Sequence, residues 1–236
     1  MIHALYKLKV FFKSLFVYPE LVTSNLSYDQ YWQEKKKGAL GIPNSFQVTR
    51  GRWISERLNP GASVIDIGCG DGSVLFAIQK YKDIEAYGAD LSQFILDFLN
   101  TRGIKGIFID LNNENNMDTL PNCDHALILE VLEHLSKPEE YLFKILKKVN
   151  KSVFISIPNT GYIQHRLRLL FGKFPLQWRT HPSEHLRFWT VDDFEWWIGS
   201  IGLKSKTEFH CYVGVPFLNK LFPKLFAQGI IAEIKK

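Results

Sequence analysis

Cysteine is scarce in this 236-residue chain: Cys69, Cys123 and Cys211 are far apart and odd in number. Neither a disulfide framework nor a cysteine-based zinc site fits that count, and a reducing, cytoplasmic setting is the expectation. Long apolar runs are missing too, since none reaches the roughly 18 residues of a bilayer-spanning helix. The apolar stretch near the N-terminus lacks a small-residue cleavage site, so a protein neither secreted nor integral to a membrane is expected. There are no blocks of five or more like charges, no internal repeats and no low-complexity segments. Basic residues number 29 against 24 acidic, a mild excess that attracts anionic surfaces only weakly. Arg166, Arg168, Arg179 and Arg187 form a modest cluster, not an extended stripe, so nucleic acid is not an expected partner; the cluster suits a phosphate or carboxylate on a small ligand. What is present, 46% hydrophobic and 22% charged residues, is enough to bury a sizeable core.

From Ser63 onward short apolar runs alternate with helical patterns. SVIDIG leads to a helix over Ser73 to Tyr81, EAYGADL to a helix over Gln93 to Arg102, and GIFIDL follows. DHALILEVL, a helix over Pro138 to Val149 and SVFISIP continue the series. Such alternation predicts parallel βαβ units, and the near-continuous Val, Ile, Leu and Phe runs predict strands covered on both faces. After Pro158 comes an Arg-, His- and aromatic-rich insertion, 159–190, then a helix over Val191 to Ile201 stopped by Gly202. Strand candidates at Lys206 to Val213 and Gly229 to Ile234 flank the apolar segment FLNKLFPKLF. The expected fold is a doubly wound, mostly parallel seven-stranded α/β sheet. Its domain is expected over 51–236, with 159–190 as a lid and 1–50 as an N-terminal helical extension.

A helical projection of the first residues puts Ala4, Leu5, Leu8, Phe11, Phe12, Leu15 and Phe16 on one face and Lys7, Lys9 and Lys13 on the other. Residues 1–20 are therefore expected to contact either the rest of the protein, another protein or a membrane surface. Oligomeric state is left open by the sequence.

The glycines carry the clearest chemical signal. Gly68, Gly70 and Gly72 follow the first strand candidate in the spacing G-x-G-x-G, with Asp66 two positions ahead and Cys69 between the first pair. Glycines there let backbone approach a ligand closely. A carboxylate beside the loop serves a pyrophosphate poorly and an amino-acid-bearing ligand well. Asp90, followed by Leu91, ends the second strand candidate, where an acid can bind ribose hydroxyls; Asp110, followed by Leu111, ends the third, where it can meet an exocyclic amine.

With these residues the chain resembles the class I S-adenosylmethionine-dependent methyltransferases, VIDIGCGDG standing as the first motif and GADLS as the second. LEVLEHL at Leu129 to Leu135 resembles small-molecule O-methyltransferases, and the MetW-like branch is closer still. That branch has counterparts of IPN at Ile157 to Asn159, RLRLLFGKFP at Arg166 to Pro175, and TVDDF at Thr190 to Phe194. The resemblance implies that Asp66, Gly68, Cys69, Gly70 and Gly72 cradle the methionine part of S-adenosyl-L-methionine, with Asp90 and Leu91 at the ribose and Asp110 and Leu111 at the adenine. Glu130 and Val131 then border the methyl-donor pocket. Glu130, Val131, Leu132 and Glu133 stand where many nucleobase and amide N-methyltransferases carry Asn or Asp, Pro, Pro and an aromatic residue, which points the acceptor towards oxygen.

An alcohol acceptor must lose a proton, and a histidine suits that task. His134 and His185 are the candidates. His181 and His185 share an i, i+4 spacing, but Pro182 intervenes and no third ligand is adjacent, so no metal site is expected. The expected substrate is a small polar molecule, a sugar or a glycan. The MetW likeness implies a second role, a cofactor-binding partner or activator of a biosynthetic acyltransferase.

Overall fold

In the computed structural model the described residues are 12–18, 28–35, 39–111, 113–177 and 185–236. Most of the amphipathic N-terminal stretch and the lid segment with His181 therefore lie outside them. Strands β1 (Ala62–Ile67), β2 (Ile84–Asp90), β3 (Lys105–Phe108), β4 (Cys123–Leu129), β5 (Val149–Pro158), β6 (Thr207–Gly214) and β7 (Ala227–Lys235) form one sheet in the order β3-β2-β1-β4-β5-β7-β6. Strands β1 to β5 pair in parallel, while β7 runs antiparallel to both β5 and β6.

Helices cover both faces. Alternate residues of β1 show why: Val64 belongs to one apolar cluster, Ile65 and Ile67 to the other. On the first face lie Trp32 of α2 (Tyr28–Lys35), Ile54 of α3 (Ser45–Ser55), Leu75 and Ile78 of α4 (Ser73–Gln79), and Ile95 and Leu99 of α5 (Gln93–Thr101). Opposite are Tyr141, Leu142 and Ile145 of α6 (Pro138–Lys148) and Phe194, Trp197 and Ile198 of α8 (Val191–Ser200). The two apolar halves close over a doubly wound sheet, as its alternating sequence predicts.

The elements differ from the sequence reading in instructive places. β3 ends at Phe108, so Asp110 and Leu111 lie beyond it, and β5 starts at Val149 directly after α6. β4 ends at Leu129: Glu130 takes φ +58°, and a 3-10 turn at Leu132–His134 follows, so the end of the DHALILEVL run leaves the sheet. FLNKLFPKLF forms two short helices, α9 (Leu218–Leu221) and α10 (Pro223–Phe226). The expected boundary at residue 50 falls inside α3, a helix opened by a capping box between Asn44 and Gln47. Trp32 and Ile54 share a core with the sheet, so α2 and α3 are built into the domain rather than appended to it.

Within 12–18, residues 12–16 are helical (α1) and dock on α7 (Ile163–Leu170) of the lid through a buried arginine. Arg168 is fully buried and donates from Nη1 to the Ser14 and Leu15 carbonyls at 2.7 and 3.0 Å, and from Nε to the Phe174 carbonyl at 2.9 Å. A cation at these carbonyls caps the end of α1. Leu15 is buried, while Phe12 and Phe16 of the same expected apolar face are exposed. No helix among the described residues is long and apolar enough to cross a membrane.

Candidate active site

Strand order reverses between β1 and β4, and in open α/β sheets the crevice outside the carboxyl ends at such a switch point receives ligands. The glycine loop follows β1 there and Glu130 follows β4. Gly68 has φ +71°, and a Cβ on it would lie 2.6 Å from Val131 Cγ2, so the loop and the end of β4 touch only because the side chain is missing. Gly70, at φ +50°, meets Trp32 of α2 in the same way: a Cβ there would lie 2.7 Å from the indole Cη2. Gly72 begins α4. The Cys69 thiol meets the Gly70 carbonyl at 3.4 Å, and burial pushes its pKa well up, which leaves it a protonated lining group.

Asp66 is the chemical centre of this end. It is 3% exposed, and its Oδ1 has no hydrogen-bond partner among the described residues. Burial pushes its pKa up to about 8; Arg50 opposes the rise and Asp90 adds to it. A buried carboxylate with an idle oxygen is costly, and it fits a site completed by a cationic ligand group.

Asp90, ending β2, is also buried, and its two oxygens accept the Gly70 and Ser92 backbone N–H groups at 2.9 and 3.0 Å. The bond from Gly70 fastens the glycine loop to β2. Burial raises its pKa, against the three backbone donors that lower it. Over it lies α2, whose Asp29 meets the Ser92 hydroxyl at 2.5 Å. Leu91 is 38% exposed beyond β2. Asp110 is half-buried and Leu111 packs on the core, its carbonyl accepting the Tyr141 hydroxyl.

At the other side, Glu130 Oε1 lies 3.0 Å from Arg50 Nη1 and accepts the Ser156 hydroxyl at 2.9 Å, while Arg50 also donates to Ser156 Oγ at 2.8 Å. A non-glycine residue at φ +58° costs on the order of 1 kcal/mol, and this closed triangle holds it there. Val131 is buried. His134, exposed, and His185, half-buried, meet edge to face with ring centroids 4.7 Å apart. Between them and the core sits Glu133, 1% exposed. The structure thus brings the two candidate histidines together.

The sequence reading missed Arg50 and Asp71, and it gave Glu133 a motif position but no role. Asp71 accepts the Ser73 hydroxyl at 2.7 Å and the Gly41 N–H at 3.0 Å, which ties the loop before α3 to the glycine loop. Arg50 carried a signal, a charged residue on the helix TRGRWIS next to buried positions. The arginine cluster, by contrast, is not assembled as an anion site. Arg168 is consumed by α1, Arg166 Nε donates to the Gly161 carbonyl at 2.7 Å, and Arg187 Nη2 to the Ser136 carbonyl at 2.6 Å; Arg179 and His181 lie outside the described residues.

The family model for methionine biosynthesis protein MetW matches residues 50–227. The chain belongs to the MetW family. It is 27% identical over 166 residues to the bifunctional methionine biosynthesis protein MetXA/MetW of Rhodopirellula baltica, and 21% identical over 150 residues to the (S)-tetrahydroprotoberberine N-methyltransferase of Eschscholzia californica. Those stretches cover 64% and 61% of this MetW-family chain but only 26% and 37% of the two relatives. A SAM-dependent methyltransferase structure from Archaeoglobus fulgidus superposes with a TM-score of 0.62 at 17% identity, covering 89% of this chain and 100% of that one. The fold is that of class I methyltransferases, whose cofactor is S-adenosylmethionine. With an N-methyltransferase among its relatives, the MetW-family chain is not assigned to the O-methyltransferase branch by likeness.

Proposed function

We propose that this MetW-family protein is an S-adenosylmethionine-dependent methyltransferase acting on a hydroxyl of a small polar acceptor, a sugar or a glycan. The observation that carries the reading is the buried, unpartnered Oδ1 of Asp66 beside the glycine loop at the carboxyl end of β1. The cofactor supplies, when bound, an electrophilic methyl group on a sulfonium. Asp66 would pair with its ammonium, the Gly68 to Gly70 backbone would flank its amino-acid portion, and Asp90 would accept from its ribose hydroxyls. Glu130 and Val131 wall the methyl-donor pocket. The acceptor oxygen then needs alignment, exclusion of water and somewhere for its proton to go; the His134 and His185 imidazoles at the mouth of the crevice take it. Incubation with methyl-labelled cofactor and an extract of sugars and glycans tests this: label should enter a hydroxyl-bearing product, and His134→Ala should cut the rate about 100-fold or more. Label found only on amine products, or none, would reject the hydroxyl reading.

A second role is favoured by a surface feature. Phe12 and Phe16 of α1 and Leu170, Phe171 and Phe174 of the lid are all exposed, with Phe16 and Phe171 centroids 5.4 Å apart. Such an apolar patch suits a partner enzyme or a lipid surface, and the Rhodopirellula relative is described as bifunctional, MetXA and MetW together. On this reading the chain binds its cofactor as partner of a biosynthetic acyltransferase. Co-purification with such an enzyme lost on Phe16→Glu, with no methyl transfer, would favour it; flotation with anionic vesicles would point to lipid instead.

A further inference from the structure

We infer that Glu133, His134 and His185 form a binding site for a divalent transition-metal ion, Zn²⁺ or one of its neighbours. One ligand atom from each residue lies within 4.8 Å of the others. Two imidazoles with one carboxylate, grouped on one side of an ion, leave coordination positions open, and this donor set selects transition metals over Mg²⁺ or Ca²⁺.

The second observation is Glu133 itself. Its side chain is buried, and neither carboxylate oxygen has a hydrogen-bond partner from another described residue. Burial, then the neighbouring Glu130 charge, push its pKa well up, and its own backbone N–H and Arg50 offset only part of that. A carboxylate kept in such a place is unfavourable for stability alone. Beside two imidazoles it is one ligand of an incomplete set.

Backbone bonds hold the set together. The Glu133 carbonyl accepts the Leu186 and Arg187 N–H groups at 2.8 and 3.0 Å, which pins the irregular lid segment carrying His185 to the turn after β4. His134 is the third residue of that 3-10 turn and is exposed, so the open coordination positions face solvent. A tetrahedral site with bonds of about 2.1 Å needs ligand atoms about 3.4 Å apart. The ligand atoms, within 4.8 Å of one another, have to draw together by about 1 Å or more on binding. Sequence spacing pairs His185 with His181 and offers no third ligand; the fold supplies Glu133 and His134 from the turn after β4 instead.

The inference rests on the proposed reaction and changes one part of it: with the ion bound, His134 and His185 serve as ligands and not as bases, and an acceptor hydroxyl on the ion loses its proton to water. The test needs neither cofactor nor acceptor, so its failure is separate from failure of methyl transfer. The full chain is stripped with chelator and titrated with Co²⁺ alone, following the visible d–d bands. One equivalent should bind, with Zn²⁺ displacing it. His134→Asn, at an exposed position that leaves the fold intact by circular dichroism, should weaken binding tenfold or more, and Glu133→Gln likewise. Absence of d–d bands, or a smaller loss in His134→Asn, would overturn the site.

Discussion

Arg50 of α3 and Glu130 at the end of β4 form an ion pair of 3.0 Å that closes on the Ser156 hydroxyl of β5. It fixes the one turn after β4 from which Val131, Glu133 and His134 all project. Arg50→Met removes the cation from beneath a residue at φ +58°. We expect a loss of about 2 kcal/mol, below the full cost of breaking a buried pair because the Glu130 side chain is 35% exposed. Thermal melts should show Tm lower by about 4–8 °C.

Asp66 gives a pH signature. Burial raises it to about 8, so between about pH 4 and about pH 8 the cofactor-free folded state holds a proton that the unfolded chain has released. Stability is therefore greatest on the acid side of that window, falls as pH rises through it and is level above about 8. Urea melts across the window should show this slope, and Asp66→Asn should flatten it. Cofactor binding, which pairs the ionised carboxylate with an ammonium, should release a proton near pH 7 and tighten as pH approaches 8; calorimetry in buffers of different ionisation enthalpy reads that proton.

Arg168 predicts a local effect. Its bonds to the Ser14 and Leu15 carbonyls, with Gln164 Nε2 on the Ser14 hydroxyl at 2.8 Å, hold the described part of α1 to α7, and its bond to the Phe174 carbonyl fixes the guanidinium from the other side. Arg168→Met should cost about 3 kcal/mol and expose residues 12–18 to protease well before the sheet. Intact protection of those residues in that variant would remove the anchoring role.

Gly70 joins the loop to α2. Gly70→Ala places a methyl 2.7 Å from the Trp32 ring at φ +50°. Either Trp32 or the loop must move, and cofactor affinity should drop tenfold or more, measured by fluorescence of the displaced tryptophan as cofactor is added. Gly103→Ala, also at positive φ but with open space around it, should leave affinity unchanged.

Much of the fold was legible because both of its periodicities are local. Val64 against Ile65 and Ile67 shows the two faces of a covered strand, and Ile95 and Leu99, four apart, mark a helix. The glycine loop, Asp66 and Asp90 were legible because their backbone conformations and strand-end positions leave a trace in residue type. Arg50 and Glu133 were not. An arginine and a glutamate on short helical turns usually face solvent, and only the crossing of α3 over the sheet, with the lid's return onto the Glu133 carbonyl, buries them. His185 was legible as a histidine but not as a neighbour of His134, since that contact is made by the tertiary path of the lid.

The most direct test of the central claim is a calorimetric titration of the full chain with S-adenosylmethionine, beside Asp90→Ala. One site with micromolar affinity, weakened tenfold or more in the variant that frees the loop from β2, is the result expected. No heat of binding in the wild type, or equal affinity in Asp90→Ala, would contradict it.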